Sequence, residues 1–319
     1  MNILIYGAGA VGLGLASFLL KAGATVHLLA RESTAKHLNQ HGLIRRGIFG
    51  NLAAPAHTFG VATTLDQTPA TPYDFVLVTT KSFDSLSSAQ DLARHPAWWN
   101  ERTKIVLCQN GWGNAEIFAE YFPQRQIFNA RIITGFTRPQ PHEVMVTVHA
   151  DDITLGSLFG HNPDEVQPLC AALHTGGIPC RLSTDISKDL WAKMLYNCAL
   201  NPLGAIFRVT YGKLGELKES RTLMNHILTE IFSVMTHAGY QTHWDTAEDY
   251  QKIFYSRLIP ATADHLSSTL QDMTAKKKTE INALNGMIVH LAQKHNLAVP
   301  VNTTVFQMVK FLEKINTSG

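Results

Sequence analysis

The chain has few cysteines, no excess of either charge and no long uninterrupted apolar run. Cys108, Cys170, Cys180 and Cys198 are its four cysteines among 319 residues, and no two form a Cys-x-x-Cys pair. That spacing argues against a zinc knuckle or a disulfide framework and fits reduced thiols in a cytoplasmic protein. With 27 basic and 25 acidic residues the formal net charge is +2. A nucleic-acid binder needs a concentrated basic face, and the one basic run, Lys276-Lys277-Lys278, reads as a solvated helix face. His37 and His41 stand at helical spacing. No His-Glu-x-x-His motif or carboxylate cluster accompanies them, so no metal site is expected. The apolar opening "MNILIYGAGAVGLGLASFLLKAG" is interrupted by Gly7, Gly9, Gly12 and Gly14 and has no basic start. It reads as strand, turn and helix rather than a signal peptide. No other segment is long and apolar enough to span a bilayer.

What is present is order along the chain. Strands are expected at Ile3 to Tyr6, Thr25 to Leu29, "YDFVLVTTK" and "KIVLCQN", alternating with helices such as Val11 to Lys21. Ser33 is a candidate cap for a short helix ending before Gly42, and "LIRRGIFGNLAAPAHTFG" reads as a hairpin turning at Gly50-Asn51. "EVMVTVHA" and "DITLGSL" read as an antiparallel addition and "IPCRLS" as a last strand. Alternating strands and helices imply an α/β fold with a Rossmann-type, doubly wound sheet. From about Ser187 the periodicity is helical, with helices expected over Ser187 to Asn201, Ser220 to Ala238, Thr246 to Leu258, Thr274 to His295 and Asn302 to Lys314. The expected organisation is a nucleotide-binding domain over residues 1–185 and an all-α domain over 186–319.

Two places carry chemistry. Gly7-Ala8-Gly9-Ala10-Val11-Gly12 follows a strand and opens a helix, the context that gives Gly-x-Gly-x-x-Gly meaning as a dinucleotide site. The helix N-terminus offers free N–H groups to phosphate. At the end of the second strand, where an acid would hold a ribose diol, stands Arg31, which favours the 2′-phosphate of NADP(H); with Glu32 as the ribose acid, Arg31 would be a solvated side chain. Lys81 and Asn110 each follow a parallel strand, the edge at which such sheets bind ligands. A surface lysine and an ordinary Asn-Gly turn would look the same.

The second place is "DLWAKMLYNCALNP", Asp189 to Pro202. Lys193, Asn197 and Asn201 are four residues apart, and each step turns about 40° beyond a full circle, so the three form one polar stripe on an otherwise apolar helix. Such a stripe belongs on a surface helix or on the wall of a cleft; this helix is too apolar for half-exposure and opens the second domain. Asn201 precedes Pro202, so the helix is expected to end or bend there. Ser268 and Glu280 are further candidates, Glu280 within an amphipathic helix with Ile281, Leu284 and Ile288.

Over nearly its whole length the chain resembles the ketopantoate reductase (2-dehydropantoate 2-reductase) family. The resemblance rests on "ILIYGAGAVG", Arg31, "VTTKSFD", "QNGWGN", "LWAKMLYNCALNPLGAI", and "SSTLQD" followed by "KKKTEINALNG". It implies a Rossmann domain, an all-helical domain, a site between them, and reduction of a 2-oxo acid by NADPH, foremost 2-dehydropantoate to pantoate in pantothenate biosynthesis. It also implies that Gly7 to Gly12, Arg31, Lys81 and Asn110 bind cofactor, with Glu280 near the nicotinamide. Lys193 would be the proton donor, Glu280 its companion, and Asn110, Asn197, Asn201 and Ser268 substrate contacts. The chain departs from the pattern at Tyr211-Gly212, where a substrate-binding Asn-Gly is usual, and in "RPQPHEVMVTVHADDITLG", which lacks the usual His-Thr-Gly-type turn. These departures leave open another 2-oxo acid or an opine-type substrate. A non-catalytic NADP(H) sensor is the reading from a different class. The expected partner is a small molecule, with a homodimer as an option and no nucleic acid or membrane.

Overall fold

The computed structural model describes residues 1–317 and divides the chain into two compact units: Met1–Gln109 with Asn114–Ile186, and Asn110–Gly113 with the residues from Ser187 onward.

The first unit is a ten-stranded mixed sheet with helices on both faces. Its strands are β1 (Asn2–Tyr6), β2 (Thr25–Leu29), β3 (Leu43–Gly47), β4 (Leu52–Ala54), β5 (Gly60–Ala62), β6 (Phe75–Val78), β7 (Lys104–Leu107), β8 (Ile127–Gln140), β9 (Glu143–Gly156) and β10 (Cys180–Leu182). The order is β4-β3-β9-β8-β7-β6-β1-β2-β5, with β10 also on β9. Its helices are α1 (Ala10–Lys21), α2 (Glu32–His41), α3 (Ser85–Ala93), α4 (Asn114–Ala119) and α5 (Gln167–Gly176). The central strands are parallel and buried on both faces, which is why they read as unbroken apolar runs. Alternation settles the sides: Ile3 and Ile5 pack with Leu13, Leu19, Leu169 and Leu173 of α1 and α5, while Leu4 packs with Leu92 and Phe118 of α3 and α4.

Three parts of this unit differ from the sequence-based expectation. β8 was not foreseen, and "EVMVTVHA" and "DITLGSL" are one 14-residue strand, β9, antiparallel to it with several register shifts. Gly135 and Pro139 dilute the β signal of the first strand, and the shifts break the simple alternation of the second. β5, parallel to β2, has three residues and leaves no periodic trace. α2 starts at Glu32, so Arg31, not Ser33, holds the cap position.

The second unit contains α6 (Ile186–Phe207), α7 (Tyr211–Glu216), α8 (Lys218–His237), α9 (Ala247–Ile253), which runs through a π-helical stretch into the short α10 (Ile259–Ala261), then α11 (Ser268–Thr274), α12 (Asn285–Lys294) and α13 (Pro300–Thr317). α6 does not end at Asn201. It continues through Pro202 to Phe207. A proline within a helix removes the N–H that would bond the carbonyl four residues back, here that of Cys198. The buried Asn285 replaces it: its Nδ2 donates to Cys198 O at 3.1 Å and to Asn302 Oδ1 at 3.0 Å. Glu230 completes the arrangement by accepting from the backbone N–H groups of Val301 and Asn302, each at 2.9 Å, so its carboxylate caps α13.

The single helix expected over Thr274 to His295 is broken. Lys276 has φ 53°, residues 275–280 form a loop, and a short 3-10 turn (Ile281–Ala283) precedes α12. The lysine run is exposed but lies in this loop rather than on a helix face. Glu280 stands at the cap position of the 3-10 turn instead of inside an amphipathic helix.

Asn285→Ala leaves the Cys198 carbonyl and Asn302 Oδ1 without the Asn285 donor and is expected to cost about 2–4 kcal/mol. Adding Pro202→Ala restores an N–H for Cys198 O and should recover part of that loss. Urea unfolding of the two single variants and the double variant measures both, and a double variant no more stable than Asn285→Ala would contradict this account of the helix.

Candidate active site

In the first unit the nucleotide candidates gather at the start of α1. Gly7 has φ 117°, and its N–H donates to Leu29 O at 3.1 Å. A Cβ on Gly12 would lie 2.0 Å from Gly7 O and 2.7 Å from Thr79 Oγ1, so only glycine permits the helix to sit this close to the turn. Thr79 fastens that turn by donating from Oγ1 to Gly7 O at 2.5 Å. A Cβ on Gly9 would meet nothing within 4 Å. Gly9 is the N-cap of α1 and provides no side-chain cap, so the first-turn N–H groups of Ala10, Val11 and Gly12 stay available to an anion, with Ala8 buried behind them. Arg31 is exposed at the start of α2. Lys81 follows β6, and its carbonyl accepts from Gln109 Nε2 at 3.3 Å.

In the second unit Lys193, Asn110 and Glu280 form one chain of hydrogen bonds. Lys193 Nζ donates to Asn110 Oδ1 at 2.7 Å, and Asn110 Nδ2 donates to Glu280 Oε2 at 3.0 Å. The orientation of the amide follows from its neighbours: an ammonium only donates and a carboxylate only accepts. Glu280 is 6 % exposed. Its approach is fixed by the preceding residue, because Thr279 donates from both its backbone N and its Oγ1 to Glu313, at 2.7 and 2.5 Å. Burial raises the Glu313 pKa, but hydrogen bonds from Lys310 and Thr279 outweigh it and hold the carboxyl below its ordinary value.

Asn110 reaches Lys193 because its loop belongs to the helical unit although it follows a strand of the sheet. Trp112 is the anchor. Its ring lies 4.8 Å from that of Trp191 on α6 and 4.9 Å from Tyr240, and its backbone N–H donates to Ala283 O at 3.0 Å. Gly111, at φ 88°, passes so close to Ala283 that an added Cβ would fall 2.5 Å from its carbonyl oxygen. The loop is visible in the sequence but its anchor was not foreseen; the buried-type Trp191 and the tryptophan between two glycines were the available signal.

Asn197 and Asn201 follow Lys193 along α6 and are 8 % and 4 % exposed. The Asn197 side chain and the Ser268 hydroxyl make no hydrogen bond among the described residues, and Ser268 opens α11 beside Ser267, whose hydroxyl caps that helix. Asn201 has a partner the sequence did not suggest. Tyr211, 2 % exposed, donates its hydroxyl to Asn201 Oδ1 at 2.5 Å. Its ring packs against Tyr196 at 5.7 Å and His265 at 5.3 Å. Burial first, then Tyr196, pushes the Tyr211 pKa well up, so the phenol keeps its proton. With that proton on Oδ1, the Nδ2 of Asn201 is the end left for a ligand, and it can only donate.

Comparison with known proteins agrees with this placement of elements. Residues 3–160 match the model for ketopantoate reductase PanE/ApbA, and residues 185–313 match its C-terminal counterpart. A 2-dehydropantoate 2-reductase of Aquifex aeolicus is 37% identical over 317 residues, covering 99% of this chain and 98% of its own. A solved 2-dehydropantoate 2-reductase from Geobacter metallireducens superposes with a TM-score of 0.86 at 25% identity, covering 98% of this chain and 99% of its own. A D-mandelate dehydrogenase solved with NADH and anilino(oxo)acetate shares the fold at a TM-score of 0.88 and 21% identity, covering 99% of each chain. With both of its units matched in order, the chain belongs to the ketopantoate reductase family, oxidoreductases acting on CH–OH groups.

Proposed function

We propose that the chain reduces a 2-oxo acid to the 2-hydroxy acid with NADPH, and that 2-dehydropantoate, the substrate naming its relatives, is the first candidate. The observation that carries the reading is the Lys193–Asn110–Glu280 chain on a helix whose next two polar residues, Asn197 and Asn201, keep hydrogen-bonding capacity for a ligand. The residues of the first unit fit a nicotinamide dinucleotide: α1 has an uncapped N-terminus, Gly9 leaves open space, and Arg31 is exposed where a 2′-phosphate would lie. Lys81 is a further cation at the same kind of strand end.

When bound, NADPH supplies the hydride that adds to the keto carbon. Negative charge then grows on the carbonyl oxygen. Lys193 meets that charge with a charge-assisted hydrogen bond and supplies the proton. Asn110 holds the ammonium in place, and Glu280 keeps the Asn110 oxygen turned towards it. Asn197, Ser268 and the Asn201 amide bind the polar groups of the substrate. Because Tyr211 fixes Asn201 as a donor, the group it binds is an acceptor, such as a carboxylate oxygen. This supports a 2-oxo acid while altering the wall around it, so other 2-oxo acids stay candidates beside 2-dehydropantoate.

A panel of 2-oxo acids added to the protein with NADPH should produce absorbance loss at the nicotinamide band with at least one member, and silence across the panel would end the enzyme reading. Lys193→Ala should lower kcat by about 10²–10⁴-fold while binding NADPH as tightly as the wild type. Tyr211→Phe frees the Asn201 amide to flip. KM for the 2-oxo acid should rise by about three- to tenfold with kcat nearly unchanged, and the effect should vanish in an Asn201→Ala background.

A further inference from the structure

Two arginines beside the glycine loop differ from others nearby. Arg46 pairs with Glu143 at 2.6 Å and Arg131 with Asp151 at 2.5 Å. Arg31 and Arg138 make no ion pair with a carboxylate among the described residues, although the charge of Arg31 acts on Arg138. Arg138 comes from β8, more than a hundred residues after the loop. Its Nη1 donates to Ala8 O, inside the Gly7–Gly12 turn, at 3.0 Å, and to Thr34 Oγ1, in the first turn of α2, at 3.3 Å. Arg31 is the residue at which α2 begins, and Glu32 is the neighbouring acid.

Those two bonds occupy one corner of the Arg138 guanidinium. Its Nε and Nη2, the edge that grips an oxyanion with two parallel hydrogen bonds, make no hydrogen bond among the described residues. The residue as a whole is exposed. Partial burial and then the charge of Arg31 hold its pKa below the usual arginine value, yet an arginine stays charged at any working pH. Two unpaired like charges at one helix start repel each other. An anion between them would relieve that repulsion, and a doubly charged phosphate monoester suits two guanidinium groups better than one.

We propose that Arg138 is a second arginine for the 2′-phosphate of the adenosine ribose, acting with Arg31, so that the β8–β9 hairpin takes part in selecting NADP(H) over NAD(H). This rests on the NADPH reading above. Arg138 is itself held beside the glycine loop by its bond to the Ala8 carbonyl.

The test is isothermal titration of the whole protein with adenosine 2′,5′-bisphosphate and, separately, with adenosine 5′-diphosphate, which lacks the 2′-phosphate. Arg138→Gln should weaken the bisphosphate by about 10- to 100-fold and leave the diphosphate within about twofold. Arg138→Lys, which keeps the charge and loses the two-pronged edge, should fall between. An equal loss for both ligands would make Arg138 only a brace for the glycine loop and overturn the proposal, as would no loss for either. A melting temperature matching the wild type checks that each variant is folded. Should the wild type itself bind the bisphosphate no tighter than the diphosphate, the NADPH reading fails first, and that outcome is visible without any variant.

Discussion

An ammonium on an apolar helix has to be given an acceptor, and much of the second unit is arranged around how Lys193 obtains one. Asn110 supplies the oxygen, but a short Asn-Gly loop does not hold an amide still by itself. Trp112 seats the loop against Trp191 and Tyr240, and the Ala283 carbonyl accepts from its backbone N–H. Glu280 then determines which end of the amide faces the lysine. Glu280 is itself placed by the break after α11 and by the grip of Glu313 on Thr279. Each of these contacts contributes to the direction in which the lysine points.

Local features of this molecule were legible in the sequence. The glycine turn was, because its chemistry resides within six consecutive residues and its neighbours are a strand and a helix. The polar stripe on α6 was, because helical geometry alone aligns Lys193, Asn197 and Asn201. What escaped depends on partners far away in the chain. Pro202 predicts a helix end, and only the amide of Asn285 on another helix makes continuation acceptable. Glu280 sits beside apolar residues at helical spacing, and nothing local announces the turn at Lys276. Arg138 looks like any arginine on a polar hairpin until its bond to Ala8 is seen.

The departure at Tyr211 takes on a different meaning once its neighbours are known. In the sequence it was a missing amide. In the structure it is a buried phenol that spends its proton on Asn201, with Tyr196 and His265 against its ring. The family pattern of polar groups is therefore altered rather than simply thinned: the expected amide is absent, and Asn201 has its direction imposed by the phenol that stands there. Matching the family over both units leaves the type of chemistry intact while the wall around the polar stripe is this chain's own.

The loop from Asn110 to Gly113 has a bearing on how the gene could be taken apart. The chain leaves the sheet unit for four residues, contributes to the helical unit, and then returns before completing β8, β9 and β10. A fragment cut at Ile186 would thus keep Trp112 without Trp191 and Tyr240, and the complementary fragment would lack the Asn110 oxygen that Lys193 bonds. Neither half is a transferable module, and recombination between relatives at the apparent domain border would have to carry those four residues along with the helices they serve.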